Sequence, residues 1–442
     1  MDAVADLLVA DPATFASLPL LLASLVFLAL PPDARGRAAC VCRAWRDALA
    51  DPALWTRLDM SNVRAFEQRY LATLRSAAAR AHGQLFHLEL SQREVLQAAL
   101  LPVLTSNAGS LRELHLHNIC ATGNDLLTTT VKSLMTATPL LQVLAVKNVH
   151  CSWEEAPRVL RAEPPFALLQ MRSSLSVHFP GAQGLCGGIQ RVGPFAAALA
   201  DPALQPALSE LCVVGADTAQ PAVMGALVDA ALSRRLRELR MDCCTPPSAA
   251  PFARLLAEGS LAVLEFYPSG GSPPLFDAAG AALVADALLV NTKLTTLTLC
   301  CAHVCEDIRA AELLLAALAG HLSMREIQII GEHVAAEDRN AVGAALGALI
   351  AADAPALHIL NWSSSNLGDA GLAPIVEALA LNHHLRNLNV LDNDMSEEFA
   401  REHLLPAVQL NTALRALQCE SNASGPAAKE AEELVRRRWP HG

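Results

Sequence analysis

The residues best suited to chemistry in this 442-residue chain are histidines and cysteines lying on or beside short apolar runs. Cys300-Cys301-x-His303-x-Cys305 places four possible metal ligands within six positions. Zinc sites are usually built from ligand pairs with two to four residues between them and a second pair elsewhere. Here the first two cysteines are adjacent, and adjacent strand residues point to opposite faces. Core and turn cysteines are therefore the expected role, and no metal or cofactor is assigned. His115 and His117 share one strand face near Asn118, which suits a polar recognition surface. The Gly-rich stretch 181–193 follows no convincing strand and lacks the lysine of a phosphate loop. G-x-S-x-G, H-E-x-x-H and paired Cys-x-x-Cys do not occur. No catalytic residue is assigned.

These side chains sit on a recurring element: apolar, two variable, apolar, one variable, apolar. It begins at Leu85, Leu111, Leu141, Phe166, Leu208, Leu236, Leu261, Leu294, Met324, Leu357, Leu385 and Leu414. The starts mostly fall at a leucine-rich spacing, and a helical run such as Leu372–Leu381 fills the second half of each unit. Parallel strands stack about 4.8 Å apart, whereas packed helices need about 8–10 Å. The expected fold class is therefore α/β: a leucine-rich-repeat solenoid, a horseshoe of roughly twelve units with parallel inner strands and outer helices. Two features interrupt the period. The interval from Phe166 to Leu208 is long and predicts a loop insertion around 172–207, and Pro268–Pro274 predicts a second loop.

The variable residue between the last two apolar positions of each strand is expected to face the hollow. It is Glu89, His115, Ala145, Gln170, Cys212, Arg240, Glu265, Thr298, Gln328, Asn361, Asn389 and Gln418 in turn. This mixed polar row suits a protein or peptide better than a polyphosphate. Asn361, Asn389 and Gln418 are the leading candidates for target binding, because amides both donate and accept. His115, Arg240, Glu265 and Gln328 are further candidates, and Trp439 is a candidate anchor. Asn393 and Asn422 occupy a turn position where an amide satisfies backbone groups; Cys244 and Ser365 fill it elsewhere.

Ahead of the repeats, Ser17–Ser61 reads as three short helices with more apolar surface than about forty-five residues can bury among themselves. Pro19 suits a first helical turn, Pro31-Pro32 ends an almost wholly apolar helix from Leu18, and Asp51-Pro52 starts the last turn. Leu18-Pro19, Leu22, Val26-Phe27, Leu30, Val41-Cys42, Trp45, Asp51, Leu54-Trp55 and Leu58-Asp59 fall at the spacing of the F-box, which this stretch closely resembles. Leu20-Leu21 departs from the acidic or polar pair usual there. The resemblance implies docking on a Skp-type adaptor and, through it, a cullin. Carried over position by position, the adaptor-binding residues would be Leu18, Pro19, Leu22, Val26, Phe27, Leu30, Val41, Trp45, Leu54 and Trp55. Asn366-Leu367-Gly368-Asp369-Ala370-Gly371 and the units after it resemble the long, ribonuclease-inhibitor type of leucine-rich repeat.

The expected organisation is a flexible N-terminus over 1–14, an F-box over 15–61, a linking helix over 62–84 and the repeat horseshoe over 85–442. The net charge of −11 without a basic stripe argues against nucleic acid. The apolar helix near the N-terminus is preceded by Asp2, Asp6 and Asp11 and is too short to span a membrane, which argues against a secretory signal or a membrane partner. Twelve cysteines in so long a chain do not form a small-domain disulfide framework, and an intracellular protein, cytoplasmic or nuclear, is expected. The resemblance implies a non-catalytic substrate receptor of a Skp–cullin–F-box ubiquitin ligase. The alternative is a leucine-rich interaction or inhibitor protein that assembles no ligase.

Overall fold

The computed structural model describes residues 27, 30, 32–41, 43–60, 67–90, 97–119, 127–178, 189–215, 218–244, 246–268, 276–420 and 425–439. Residues 1–14, most of the helix expected from Leu18 to Leu30, and Asn422 lie outside them. The chain divides into two compact units, Met1–Leu175 and Ser176–Gly442.

In the first unit, α1 (Pro32–Ala38), α2 (Arg43–Ala48) and a 3-10 turn (Pro52–Trp55) lead into β1 (Arg57–Asp59). Then come α3 (Glu67–Arg80), β2 (His87–Leu90), α4 (Gln97–Ser106), β3 (Glu113–Ile119), α5 (Leu127–Ala137), β4 (Val143–Ser152) and α6 (Ala156–Leu160). The division between units falls within β5 (Leu169–His178). The second unit continues with α7 (Ile189–Ala200), β6 (Glu210–Val214), α8 (Pro221–Arg234), β7 (Glu238–Cys244), α9 (Ala250–Glu258), β8 (Val263–Pro268) and α10 (Ala278–Val290). It goes on through β9 (Thr296–Cys300), α11 (Ile308–Ala319), β10 (Glu326–Ile330), α12 (Arg339–Ala351), β11 (Ile359–Asn361), α13 (Gly368–Leu381) and β12 (Asn387–Asn389). Finally α14 (Glu397–Phe399) passes through a π-helical turn into α15 (Leu405–Leu410), followed by β13 (Ala416–Gln418) and α16 (Pro426–Arg438).

Strands adjacent in sequence are adjacent in space, and all pair in parallel: β1 to β4 within the first unit, β6 to β13 within the second. Parallel neighbours need a crossover, and the intervening helices supply it. All twelve apolar triplets are buried, from Leu85, Leu88 and Leu90 to Leu414, Leu417 and Cys419. The architecture is a leucine-rich-repeat α/β solenoid.

Three expectations are corrected. The repeats begin earlier than Leu85: Trp55, Leu58 and Met60 form the same triplet, all are buried, and β1 pairs with β2. The segment 172–207 is not simply a loop, because it carries most of β5 and all of α7; residues 179–188 lie outside the described ones. Two positions expected on the open strand face, Ala145 and Thr298, are covered. Thr298 lies in register between the longer Glu265 and Gln328, which shield it.

Two buried columns satisfy the turns. At the ninth position of the unit, Asn393 donates to the carbonyl of Trp362 (2.6 Å) and accepts from the backbone N–H groups of Ser365 and Leu367 in the unit before. Ser365 itself is fully buried. Glu332 takes the equivalent place one unit earlier, accepting from the N–H groups of Ala302 (3.0 Å) and Cys305 (3.3 Å). The second column lies three residues ahead of the triplet. Asn291, Asn382 and Asn411 each accept from the chain entering their own strand and donate back to a carbonyl of the helix in the unit before. Arg438, in the basic last turn of α16, joins this column by donating to the carbonyls of Val408 and Asn411.

Small residues set the helix spacing where α12 meets α13. A Cβ at Gly343 would stand 2.1 Å from the carbonyl oxygen of Gly371, whereas one at Gly225 in α8 meets nothing within 4 Å. Among the described residues, no helix is long and apolar enough to cross a membrane. Gly343→Ala is predicted to destabilise the second unit by about 1–3 kcal/mol through overpacking. Gly225→Ala is predicted to stabilise it by about 0.5–1 kcal/mol through helix propensity. Urea denaturation of the two variants checks the opposite signs.

Candidate functional site

The N-terminal module is built around Trp55. Its indole N–H donates to the carbonyl of Leu49 (2.8 Å), and the guanidinium groups of Arg35 and Arg80 lie 5.7 and 5.0 Å from its ring centre. Arg35 is itself buried, donating to the carbonyls of Leu30 and Leu54, and burial lowers its pKa. Phe27 meets Trp45 edge-on at 5.5 Å. Phe27, Leu30, Trp45, Leu54 and Trp55 are all covered by this chain. Within this chain they shape the module, whereas the F-box resemblance implied that they bind the adaptor. Val41 is 55% exposed and remains a surface candidate. Leu18, Pro19, Leu22 and Val26 lie outside the described residues.

On the exposed face of the first unit, side chains form a cross-strand lattice. His87 is in register with Glu113, and Glu89 with His115; Arg57 and Asp59 flank them on β1. His87 Nδ1 is 2.8 Å from Glu113 Oε2, His87 Nε2 is 3.8 Å from Glu89, and Arg57 reaches to 3.6 Å from Glu113. The rings of His87 and His115 meet edge-on at 4.6 Å. The hydrogen bond to His87 holds the Glu113 carboxyl below its ordinary pKa. Burial, with His87 and Arg172 nearby, pushes His115 down. His115 thus meets His87 and Glu113, partners the sequence reading did not pair with it. Superposing H-L-E-L of one unit on E-L-H-L of the next was the available signal.

In the second unit the row Cys212, Arg240, Glu265, Thr298, Gln328, Asn361, Asn389 and Gln418 runs in register from β6 to β13. Arg240 lies 3.4 Å from Asp242, 3.7 Å from Glu265 and 4.7 Å from the centre of the Tyr267 ring. Asn361 donates to Gln328 at 3.5 Å, and its own amide oxygen is buried without a partner. The Asn389 oxygen accepts from the N–H of Leu391. So Asn361, Asn389 and Gln418 are neighbours as expected, but two of the three amides already serve the fold in part. Trp439 packs against Arg415, whose guanidinium is 4.9 Å from its ring.

The cysteine cluster is arranged differently from the expectation. Cys301 has φ 51°, so it leaves the strand line, and the sulfurs of Cys300 and Cys301 lie 3.9 Å apart instead of on opposite faces. Burial pushes the Cys300 thiol up to about 11 and raises that of Cys305 further. His303 pairs with Glu306 at 2.8 Å.

Comparison with known proteins gives four likenesses. An F-box-like family profile matches residues 15–61. The F-box/LRR-repeat protein 22 of Arabidopsis thaliana is 29% identical over 147 residues, which are 33% of this chain and 46% of that protein. The chain thus spans about half the length of this curated relative. Among solved structures, the yeast Rad7 and Elc1 complex aligns at 12% identity over 80% of this chain and 91% of that chain, with TM-score 0.37. A Bacteroides fragilis protein aligns at 15% identity over 66% and 77%, with TM-score 0.34. Both scores are low, and the fold assignment rests on the repeat geometry itself. The chain joins an F-box-like module to leucine-rich repeats.

The ion pairs around Arg240 are half exposed, where such pairs contribute little. Arg240→Ala is predicted to change the stability of the second unit by less than about 1 kcal/mol. A loss of target binding in this variant, with an unshifted denaturation midpoint, then reports on the surface and not on folding.

Proposed function

We propose that this protein is the substrate-recognition subunit of a Skp–cullin–F-box ubiquitin ligase. The F-box-like match over residues 15–61 carries this reading. Its support is that β1, inside that match, is also the first strand of the repeat sheet. Docking at the N-terminal module would hold the strand face of the following repeats in a fixed orientation to the adaptor. The protein's contribution is then positional: it raises the effective concentration of a target lysine near the charged enzyme and orients it. Bond making and breaking fall to other subunits.

Within this reading the adaptor surface is Leu18, Pro19, Leu22, Val26 and Val41, supported internally by the Trp45 and Trp55 clusters. Target contacts fall on the polar strand face, with Asn361, Asn389 and Gln418 as neighbouring amide positions and Arg240 and Glu265 as a charged pair.

The test is co-purification with a Skp-type adaptor and its cullin. The double variant Leu18→Ala/Pro19→Ala is predicted to lose adaptor binding while its circular dichroism spectrum is unchanged. Undiminished capture of adaptor by the double variant, or none by the wild type, would falsify the assignment. Replacing Asn361, Asn389 and Gln418 together with Ala is predicted to weaken target ubiquitination at least tenfold with adaptor capture intact. Normal ubiquitination in the triple variant moves the target site elsewhere.

A further inference from the structure

We propose that His87, Glu113 and His115 form a binding site for a divalent transition-metal ion of the zinc class. The proposal is independent of the ligase reading. One ligand atom from each of the three residues lies within 4.8 Å of the others, and among the described residues no other such group of His, Cys, Asp and Glu occurs. Around a tetrahedral zinc ion with bonds of about 2.0–2.1 Å, ligand atoms stand about 3.3 Å apart. His87 Nδ1 and Glu113 Oε2, at 2.8 Å, are already that near. Side-chain rotation of order 1 Å suffices for the rest.

The backbone places the ligands with little freedom. His87 is in register with Glu113, and His115 stands two residues beyond Glu113 on the same face of β3. His87 is buried, with 8% of its surface exposed, so its ring is held by its surroundings. Sites on strands are more exact than sites on loops. The donor set is two imidazole nitrogens and one carboxylate, which suits zinc and its neighbours and not the all-oxygen shells of calcium or magnesium. Where His87 binds through Nδ1, its Nε2 side faces Glu89 at 3.8 Å. A carboxylate behind a metal-bound imidazole fixes the ring and raises its basicity. Arg57, 3.6 Å from Glu113, has a side chain 60% exposed. Three protein ligands leave a fourth position open on the strand face, fit for water or for a carboxylate or imidazole from a bound partner.

The test uses the purified full chain, stripped with a chelator and then titrated with Zn2+ by calorimetry and with Co2+ by visible absorption. The expected result is one saturable equivalent, with tetrahedral Co2+ bands that lack thiolate charge transfer. Glu113→Gln and His115→Gln, both at half-exposed positions, should each weaken uptake at least tenfold. A further measurement avoids the variants altogether. Zn2+ should shield His115 of the wild type from diethyl pyrocarbonate, read by peptide mass spectrometry. No saturable uptake, uptake unchanged in either variant, a thiolate band that places the ion on cysteines, or an unshielded His115 each overturns the site.

Discussion

The parallel register of the strands is the constraint on which everything else depends. Within the first unit Leu58, Leu88, Leu114 and Leu144 are register partners, and within the second the same holds from Leu211 to Leu417. Because side chains alternate across a strand, a slip of one residue would turn every leucine outward. Register therefore fixes the exposed face as firmly as the buried one, and residues at equivalent positions become columns about 4.8 Å apart. It also ties the N-terminal module to the repeats. Arg57, Leu58 and Asp59 pair with His87, Leu88 and Glu89, so β1 belongs to both parts.

Stacked repeats bury backbone at both ends of every strand, and an unsatisfied buried polar group costs about 1–3 kcal/mol. Amides answer this best, since Asn393 and Asn411 each donate to carbonyls and accept from N–H groups at one site. Glu332 meets only the N–H half of the same need, and burial raises its pKa despite those bonds. His321 stands in the second column with both ring nitrogens buried and unpartnered, and burial lowers its pKa, which keeps it neutral. The exceptions to the amide columns are thus places where the repeat is chemically less satisfied.

The apolar triplets were legible in the sequence because burial there depends on local spacing alone. The first triplet was not, although Trp55, Leu58 and Met60 show the same spacing: the F-box resemblance had already claimed Trp55 and Leu58. The resemblance also named Phe27, Trp45 and Leu54 without telling which way they point, and all three face inward. Residues 172–207 read as a loop from their Gly and Pro content, yet Leu175, Val177, Phe195 and Leu199 are buried in regular elements. The His87–Glu113–His115 group needed a comparison between units. Neither unit taken singly brings His87 beside Glu113 and His115.

The charge arrangement on the strand faces narrows what can bind them. Arg57 stands beside Glu113, and Arg240 stands between Asp242 and Glu265. Each of these two arginines has an acid within 4 Å. At physiological ionic strength fields fade within about 8 Å, and such neutralised clusters steer little from a distance. Gln328, Asn361, Asn389 and Gln418 continue the row with uncharged amides, whose discrimination lies in the placement of donors and acceptors. Under the proposed function, recognition on this row would operate at contact range, through hydrogen-bond geometry.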